Sequence, residues 1–412
     1  MLADDKKVLL INGAVYLPGE GGYKRTMYLF DMMRSMGYNV TLLTSDFNHY
    51  AKKKRDVTRF RKEYPEYNDI EMVHMPVYKK NISIRRYYSG KIYSKNIKRW
   101  CQIHLKEYDV VMTNMPAIGT ILKIHPLCLK YGVKMLVDVR DLHPEAFRVV
   151  VNNEMLYKLI FYGMKKRADK AYSFADEMVA VSEEYLMRGM SCNKNAKNPI
   201  AVYIGVALEK YDEGVRKYEN DILKPIDEIW ITYAGTLGAS YDILTLIKAA
   251  KVIQNEPNNK VRIKILGQGP DEQKFKQAAK EEGIQIVDFL GFKPYEEMAA
   301  FLSKSDMTIN SVKKNGSQSI INKVADYFAA GIPMINGCSC KEQQEMVEKY
   351  RVGLNYEPEN VDELVEAIRK LVLDPQLRRE LGENARNLAI TKFDRKNSYL
   401  EIIKRIEVLS ES

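Results

Sequence analysis

At 412 residues, with 46% hydrophobic and 29% charged side chains, the chain is too long for one hydrophobic core and too apolar for disorder, so two folded domains with a cleft between them are expected. Its five cysteines (Cys101, Cys128, Cys192, Cys338, Cys340) show no metal-ligand spacing and point to reduced thiols; no signal peptide is expected, and no apolar run reaches the roughly 20 residues of a spanning helix. The net charge of +10 is concentrated in residues 52–62 and again between Lys79 and Arg99, clusters that attract phosphate on nucleotides, nucleic acid or lipid headgroups, or else form a solvated face.

In chain order, residues 7–13 form the first predicted strand, 23–36 a helix and 39–44 a second strand. Short β-branched runs at 109–113, 133–137 and 177–181 continue the alternation, the pattern of βαβ units on a parallel sheet. The polar stretch 192–226, carrying Pro199 and Pro225, holds only a strand-like run at 200–204, which places the hinge near its start. A second alternation follows, with strands at 229–233, 261–266, 307–310 and 332–335 and helices at 243–254, 271–282 and 320–330. The predicted division is 1–190 plus a returning helix in 394–412, and 191–393. Both halves are Rossmann-like, doubly wound α/β domains facing a central cleft.

Three glycine-rich turns end predicted strands. The first, Pro18-Gly-Glu-Gly-Gly-Tyr-Lys24, brings Gly21 and Gly22 to a helix start, where backbone amides favour an anion, yet it lacks the spaced dinucleotide fingerprint and reads equally as a plain turn. In the second, Tyr233-Ala-Gly-Thr-Leu-Gly238, the N–H groups of Gly235, Thr236 and Leu237 are candidates to face a diphosphate. The third, Leu266-Gly-Gln-Gly-Pro270, reads as a tight strand-to-helix turn. Further on, Ser317, Ser319 and Asn322 can cap the helix at 320–330, with Lys323 in its first turn and Asp326 three residues later. A cation beside unpaired helical amides suits a diphosphate and a carboxylate one turn on suits ribose hydroxyls, while the bland reading is a surface ion pair.

Within 84–104, Tyr88, Ile92, Tyr93, Ile97 and Trp100 are assigned to one helical side, fringed by Arg85, Arg86, Lys91, Lys95, Lys98 and Arg99. An aromatic body with a basic fringe suits an anionic membrane interface, and a helix packed on its own sheet is compatible with that.

The window Asn315–Met334, the glycine loop at Gly21-Gly22, Val137-Asp-Val-Arg-Asp-Leu-His-Pro-Glu145, the Ala-Gly-Thr-Leu-Gly turn, Phe289-Leu-Gly-Phe292 and Leu381-Gly-Glu-Asn-Ala-Arg386 occur in an order that resembles the family four glycosyltransferases, metal-independent enzymes of the GT-B fold. The Arg140-Asp-Leu-His-Pro-Glu145 segment is similar to bacterial transferases of surface-polysaccharide assembly. The resemblance implies Asp141 beside the reacting sugar, with Arg140 and Glu145 supporting it or meeting the acceptor; a buried structural salt bridge within this loop is the competing account. It implies a donor site at Gly21, Gly22, Gly235, Thr236, Leu237, Phe292, Asn322, Lys323 and Asp326, and an acceptor or membrane surface at Arg85, Arg86, Tyr88 and Trp100. Two departures stand out: Gln318 and Asp326 occupy positions where most relatives carry two glutamates, and the basic pair after the second glycine turn is absent, which leaves Lys323 to neutralise phosphate.

The expected activity is transfer of a hexose-type sugar from a nucleotide diphosphate sugar, UDP by default, to a lipid-linked or growing surface glycan, with retention. No cofactor and no metal are expected, since Asp-x-Asp is absent and the histidines are scattered. The expected location is cytoplasmic, on the inner face of the plasma membrane. Alternatives are an epimerase or hydrolase on the same fold, or a nucleic-acid-binding or scaffold protein, although no nucleic-acid module is recognisable.

Overall fold

The computed structural model describes residues 6–21, 25–81, 83–149, 151, 153–316 and 320–411, with the side chain of Val149 left out. Two compact units result, one of Met1–Val202 with Tyr399–Ser412 and one of Tyr203–Ser398.

The first unit is built on seven parallel strands: β1 (Lys7–Ile11), β2 (Asn39–Ser45), β3 (Ile70–Val73), β4 (Val110–Met115), β5 (Lys134–Val139), β6 (Glu177–Ala180) and β7 (Ile200–Ala201). Their order is β3-β2-β1-β4-β5-β6-β7. Strands such as Val-Val-Met-Thr-Asn-Met are apolar almost throughout because helices cover both faces of a parallel sheet. From β1 the chain turns first one way, to β2, and later the other, to β4. The gap between β1 and β4 at their carboxyl ends is therefore the topological switch point where such sheets bind ligands. Tyr399, Ile402, Ile403 and Ile406 of the terminal helix (Arg395–Ser410) recur at helical spacing and enter the same core as Phe30, Val110 and Leu136.

The second unit holds six parallel strands: β8 (Ile229–Ala234), β9 (Val261–Leu266), β10 (Val287–Gly291), β11 (Met307–Ser311), β12 (Met334–Gly337) and β13 (Gly353–Asn355), in the order β10-β9-β8-β11-β12-β13. Alternation along the strands divides the core. Ile231, Tyr233, Ile263, Ile265, Ile309 and Ile335 pack on one face, whereas Ala234, Leu266 and Met334 meet Tyr327 and Phe328 on the other. Here the switch point lies between β8 and β11.

The observed boundaries differ from those read off the sequence. The start of the polar stretch, up to Val202, stays with the first unit because Ile200 and Ala201 pair with Val179 and Ala180 as a seventh strand, which moves the boundary to Val202/Tyr203. At the other end, residues 394–398 belong to the second unit, since Arg395 N–H donates to Val206 O (2.9 Å).

Candidate functional site

At the switch point of the second unit, β8 is followed by Gly235, whose φ of +159° is disfavoured for other residues. The Gly235 N–H donates to Leu266 O (2.9 Å) and the Leu237 N–H to Gln268 O (3.1 Å), so two of the three expected anion-binding amides are committed to the neighbouring turn. That corrects the sequence reading for Gly235 and Leu237. Thr236, between them, is exposed, and its N–H has no acceptor among the described residues. The turn after β9 is structural: a Cβ on Gly267 would stand 1.8 Å from Gly235 O and one on Gly269 2.2 Å from Leu237 O, so only glycines let the two turns stack.

Lys323 opens the short helix Lys323–Ala329 behind this turn. Its ammonium is buried and, among the described residues, has no hydrogen-bond partner. Three rings surround it, with Nζ 4.0 Å from the centroid of Tyr233, 4.4 Å from Tyr241 and 5.9 Å from Tyr327. Two of the rings are pinned: the Tyr233 hydroxyl donates to Thr236 O (2.8 Å) and the Tyr327 hydroxyl bonds to Ala234 N and O (2.9 and 3.1 Å). Burial pulls the Lys323 pKa down to about 7. Aromatic faces return part of the lost hydration, but a desolvated cation without an acceptor remains costly, and an anion would complete it.

The other donor-site residues separate. Asp326 does not pair with Lys323: its carboxylate accepts from the Tyr295 hydroxyl (2.9 Å), and burial pushes its pKa up to about 6. Asn322 is exposed and already helical (φ −52°, ψ −39°), so its side chain does not cap the helix as expected. Ser317, Gln318 and Ser319 lie outside the described residues, as does Gly22. Phe292 is 66% exposed just after β10, at the same carboxyl edge of the sheet as Gly235.

In the first unit, the expected cluster around Asp141 dissolves into three separate ion pairs. Arg140 turns back to Asp138 (2.5 Å) and also donates to the Thr26 hydroxyl (2.6 Å). Asp138, fully buried in β5, is held bidentately by Arg25 at 3.1 Å through each oxygen, and the two guanidiniums keep its carboxyl below the usual range despite burial. Arg25 further donates to Val202 O (2.9 Å) and lies over the Tyr399 ring. Glu145 instead receives Arg188 (2.5 Å), which also binds Asp169 (2.6 Å). Asp141 itself is 48% exposed with His143 Nε2 3.4 Å away. Neither Arg140 nor Glu145 supports it, a correction that follows from each having a nearer, more buried partner. Arg140, Asn12, Thr26, Thr113 and Asn114 line a small pocket at the β1–β4 switch point, and Thr113 Oγ1 and Asn114 Oδ1 are buried there without partners among the described residues.

The described part of the first glycine loop is braced by Arg55, which binds Glu20 bidentately (2.8 and 2.7 Å). Arg59 and Arg61 likewise face Glu63 and Glu71, so the arginines of the 52–62 run are engaged in ion pairs. Gly21 is exposed, and a Cβ there would meet nothing.

The helix Ile84–His104 does not carry one aromatic face. Tyr93, Ile97 and Cys101 point into the core, Trp100 packs on His104 and Tyr108, and Tyr88, Ile92 and Arg85 are exposed on a different side. Arg86 folds back to Asn81 O (2.6 Å). Residues 88 and 92 stand about 80° to 180° from 93, 97 and 100 on a helical wheel, which the sequence grouping overlooked. Among the described residues no helix is long and apolar enough to cross a membrane, and no three His, Cys, Asp or Glu side chains gather as metal ligands do.

Comparison with known proteins bears on this arrangement. Residues 215–388 match the family model of glycosyl transferases group 1. That match lies within the second unit and includes Gly235, Thr236, Lys323 and Asp326. An uncharacterized glycosyltransferase of Methanocaldococcus jannaschii is 25% identical over 366 residues, covering 86% of this chain and 90% of the relative. Among solved structures, Anabaena HepE in complex with UDP superposes with a TM-score of 0.68 at 15% identity, covering 98% of this chain and all of that one. WaaG, a glycosyltransferase involved in lipopolysaccharide biosynthesis, superposes with a TM-score of 0.65 at 14% identity over 98% and 100% of the two chains. The fold is that of the GT-B glycosyltransferases, and residues 215–388 are similar to the group 1 glycosyl transferases.

Sequence reasoning missed Asp138, Arg25, Tyr233 and Tyr241. The available signal for the first was an acid within Leu-Val-Asp-Val, an otherwise apolar strand, where a buried carboxylate must find a cation.

Proposed function

We propose that the chain transfers a hexose-type sugar, with retention, from a nucleotide diphosphate sugar held by the second unit, UDP by default, to a lipid-linked or growing surface glycan taken by the first. The observation that carries this reading is the buried Lys323 ammonium behind the β8 turn, without a hydrogen-bond partner among the described residues. As the bond from the anomeric carbon to the diphosphate oxygen breaks, negative charge grows on the leaving group. Lys323 and the Thr236 amide are suited to stabilise it, and they are worth most where water is excluded. Phe292 and Asn322 are assigned to the donor, Asp326 to its ribose, and the amides of the loop at Gly21 and Gly22 to its diphosphate. The chemistry asks for no metal in this reading. That HepE was solved with UDP, and that WaaG is involved in lipopolysaccharide biosynthesis, supports the choice of donor and acceptor classes. Arg85 and Tyr88, both exposed, fit contact with an anionic membrane on the cytoplasmic side.

Thermal denaturation with UDP, GDP, ADP and their sugars tests the donor. One nucleoside diphosphate is expected to raise the unfolding temperature by several degrees at a hundredfold excess over Kd, corresponding to about 2.7 kcal/mol; no response to any of them would remove the proposal. Rapid nucleotide release without acceptor would favour the hydrolase.

Asp141 is the residue this reading assigns to the chemistry at the sugar. Being half-exposed and lightly bonded, Asp141→Asn is expected to leave the unfolding midpoint within about 0.5 kcal/mol while reducing transfer at least a hundredfold. Undiminished turnover in this variant would take Asp141 out of the site.

A further inference from the structure

The helix Glu154–Ser173 carries apolar residues on two opposite sides. Its inner side is accounted for: Tyr157, Ala168, Ala171 and Tyr172 are buried, and Phe161 stacks on Phe147 with ring centroids 5.0 Å apart. Its outer side is not. Met155, Leu159 and Tyr162 recur at i, i+4 and i+7 and are 83%, 78% and 68% exposed, with Leu156 and Ile160 half-exposed beside them. A helix of a water-soluble surface places that spacing against its core and polar residues outside. Here the crest is apolar.

Cations flank it. Lys158 and Lys165 lie to one side, Lys166 continues the crest, and Arg167 lies to the other. The acids of the helix, Glu154 and Asp169, are occupied by Arg148, Lys158, Lys165 and Arg188, and among the described residues Lys166 and Arg167 have no ion-pair partner. Arg167, on one flank, and Lys91 both lie beside Tyr87, so that flank, not the crest itself, adjoins the exposed Tyr87 and Tyr88 of the helix Ile84–His104.

We infer that this crest seats the first unit on an anionic lipid bilayer, with Met155, Leu159 and Tyr162 entering the acyl boundary and Lys158, Lys165, Lys166 and Arg167 meeting phosphate headgroups. A convex apolar line with cations on both flanks complements a soft, negatively charged plane. The inference deepens the membrane contact proposed above, naming a different helix as the inserting element, and does not depend on sugar transfer.

The test is flotation of the full chain with vesicles of phosphatidylcholine alone and of phosphatidylcholine mixed with phosphatidylglycerol. The wild type is expected to float with the anionic vesicles only, and Met155→Ser/Leu159→Ser/Tyr162→Ser to lose at least tenfold in vesicle affinity, with its unfolding temperature and nucleotide-induced thermal shift unchanged. Lys158→Glu/Lys166→Glu/Arg167→Glu should lose binding in low salt as well. If the wild type floats but only an Arg85→Glu/Tyr88→Ser variant is lost, membrane contact stands and the crest is refuted. If the wild type ignores both vesicles, both fall. Self-association of the wild type that the serine variant abolishes, without flotation, would assign the crest to protein contact instead.

Discussion

Lys323→Met is expected to lose nucleoside diphosphate binding and to unfold at a higher temperature than the wild type at neutral pH. Both effects come from one feature, an ammonium among the rings of Tyr233, Tyr241 and Tyr327 with no acceptor among the described residues. In the bound state the cation has its countercharge. Removing one partner of such a buried charge pair costs about 2–5 kcal/mol, roughly 30-fold to several-thousand-fold in Kd. In the free state the same group is a liability, and replacing it with an apolar chain of similar length is expected to return about 1–3 kcal/mol.

The pH dependence follows from the depressed pKa. Lys323 falls from an ordinary 10.5 to about 7 on folding, so between those values the folded chain binds fewer protons than the unfolded one. Its destabilising contribution is fully present below pH 7 and fades as pH rises toward 10.5. The stability advantage of Lys323→Met should therefore be large at pH 6.5 and small at pH 10, as read from unfolding midpoints at each pH. Donor affinity should fall over the same range: above pH 7 the free site increasingly lacks its proton, and apparent affinity falls by up to about tenfold per pH unit.

Asp138→Ala is expected to destabilise the first unit by about 3–5 kcal/mol, because it strands two guanidiniums that the carboxylate now neutralises in a fully buried setting. Arg25 ties together β5, the segment after β7 and the terminal helix, so the loss reaches Val202 and Tyr399 as well. The chain has two tryptophans, Trp100 in the first unit and Trp230 in the second. In a Trp230→Phe background, Trp100 fluorescence during urea unfolding reports the first unit alone. A midpoint that matches the Asp138-containing parent would show that the Arg25–Asp138–Arg140 group is not what holds this unit together.

The strands were legible because parallel sheets announce themselves as short apolar runs, and 261–266 is a strand with the ends read from sequence. Lys323 was legible from its place at a helix start between a polar loop and an apolar run. Its aromatic surroundings were not, because Tyr233 and Tyr241 reach it through tertiary folding, on either side of a turn some 90 residues earlier. Arg140, Asp141 and Glu145 looked like one cluster because they are neighbours in the chain. In the fold their partners come from residues 26, 138, 143 and 188, and burial decides which pairs form. The helix Glu154–Ser173 shows the opposite difficulty: the spacing of Met155, Leu159 and Tyr162 reads as a core stripe, and only their exposure shows that another side of the helix faces the core.

Titration calorimetry of the full chain and of Lys323→Met, each with the nucleoside diphosphate selected by thermal shift and with its parent nucleoside, isolates the contact between this side chain and the phosphates. The wild type should prefer the diphosphate strongly, and the variant should lose most of that preference. A variant that keeps the wild-type preference would show that the diphosphate is held elsewhere.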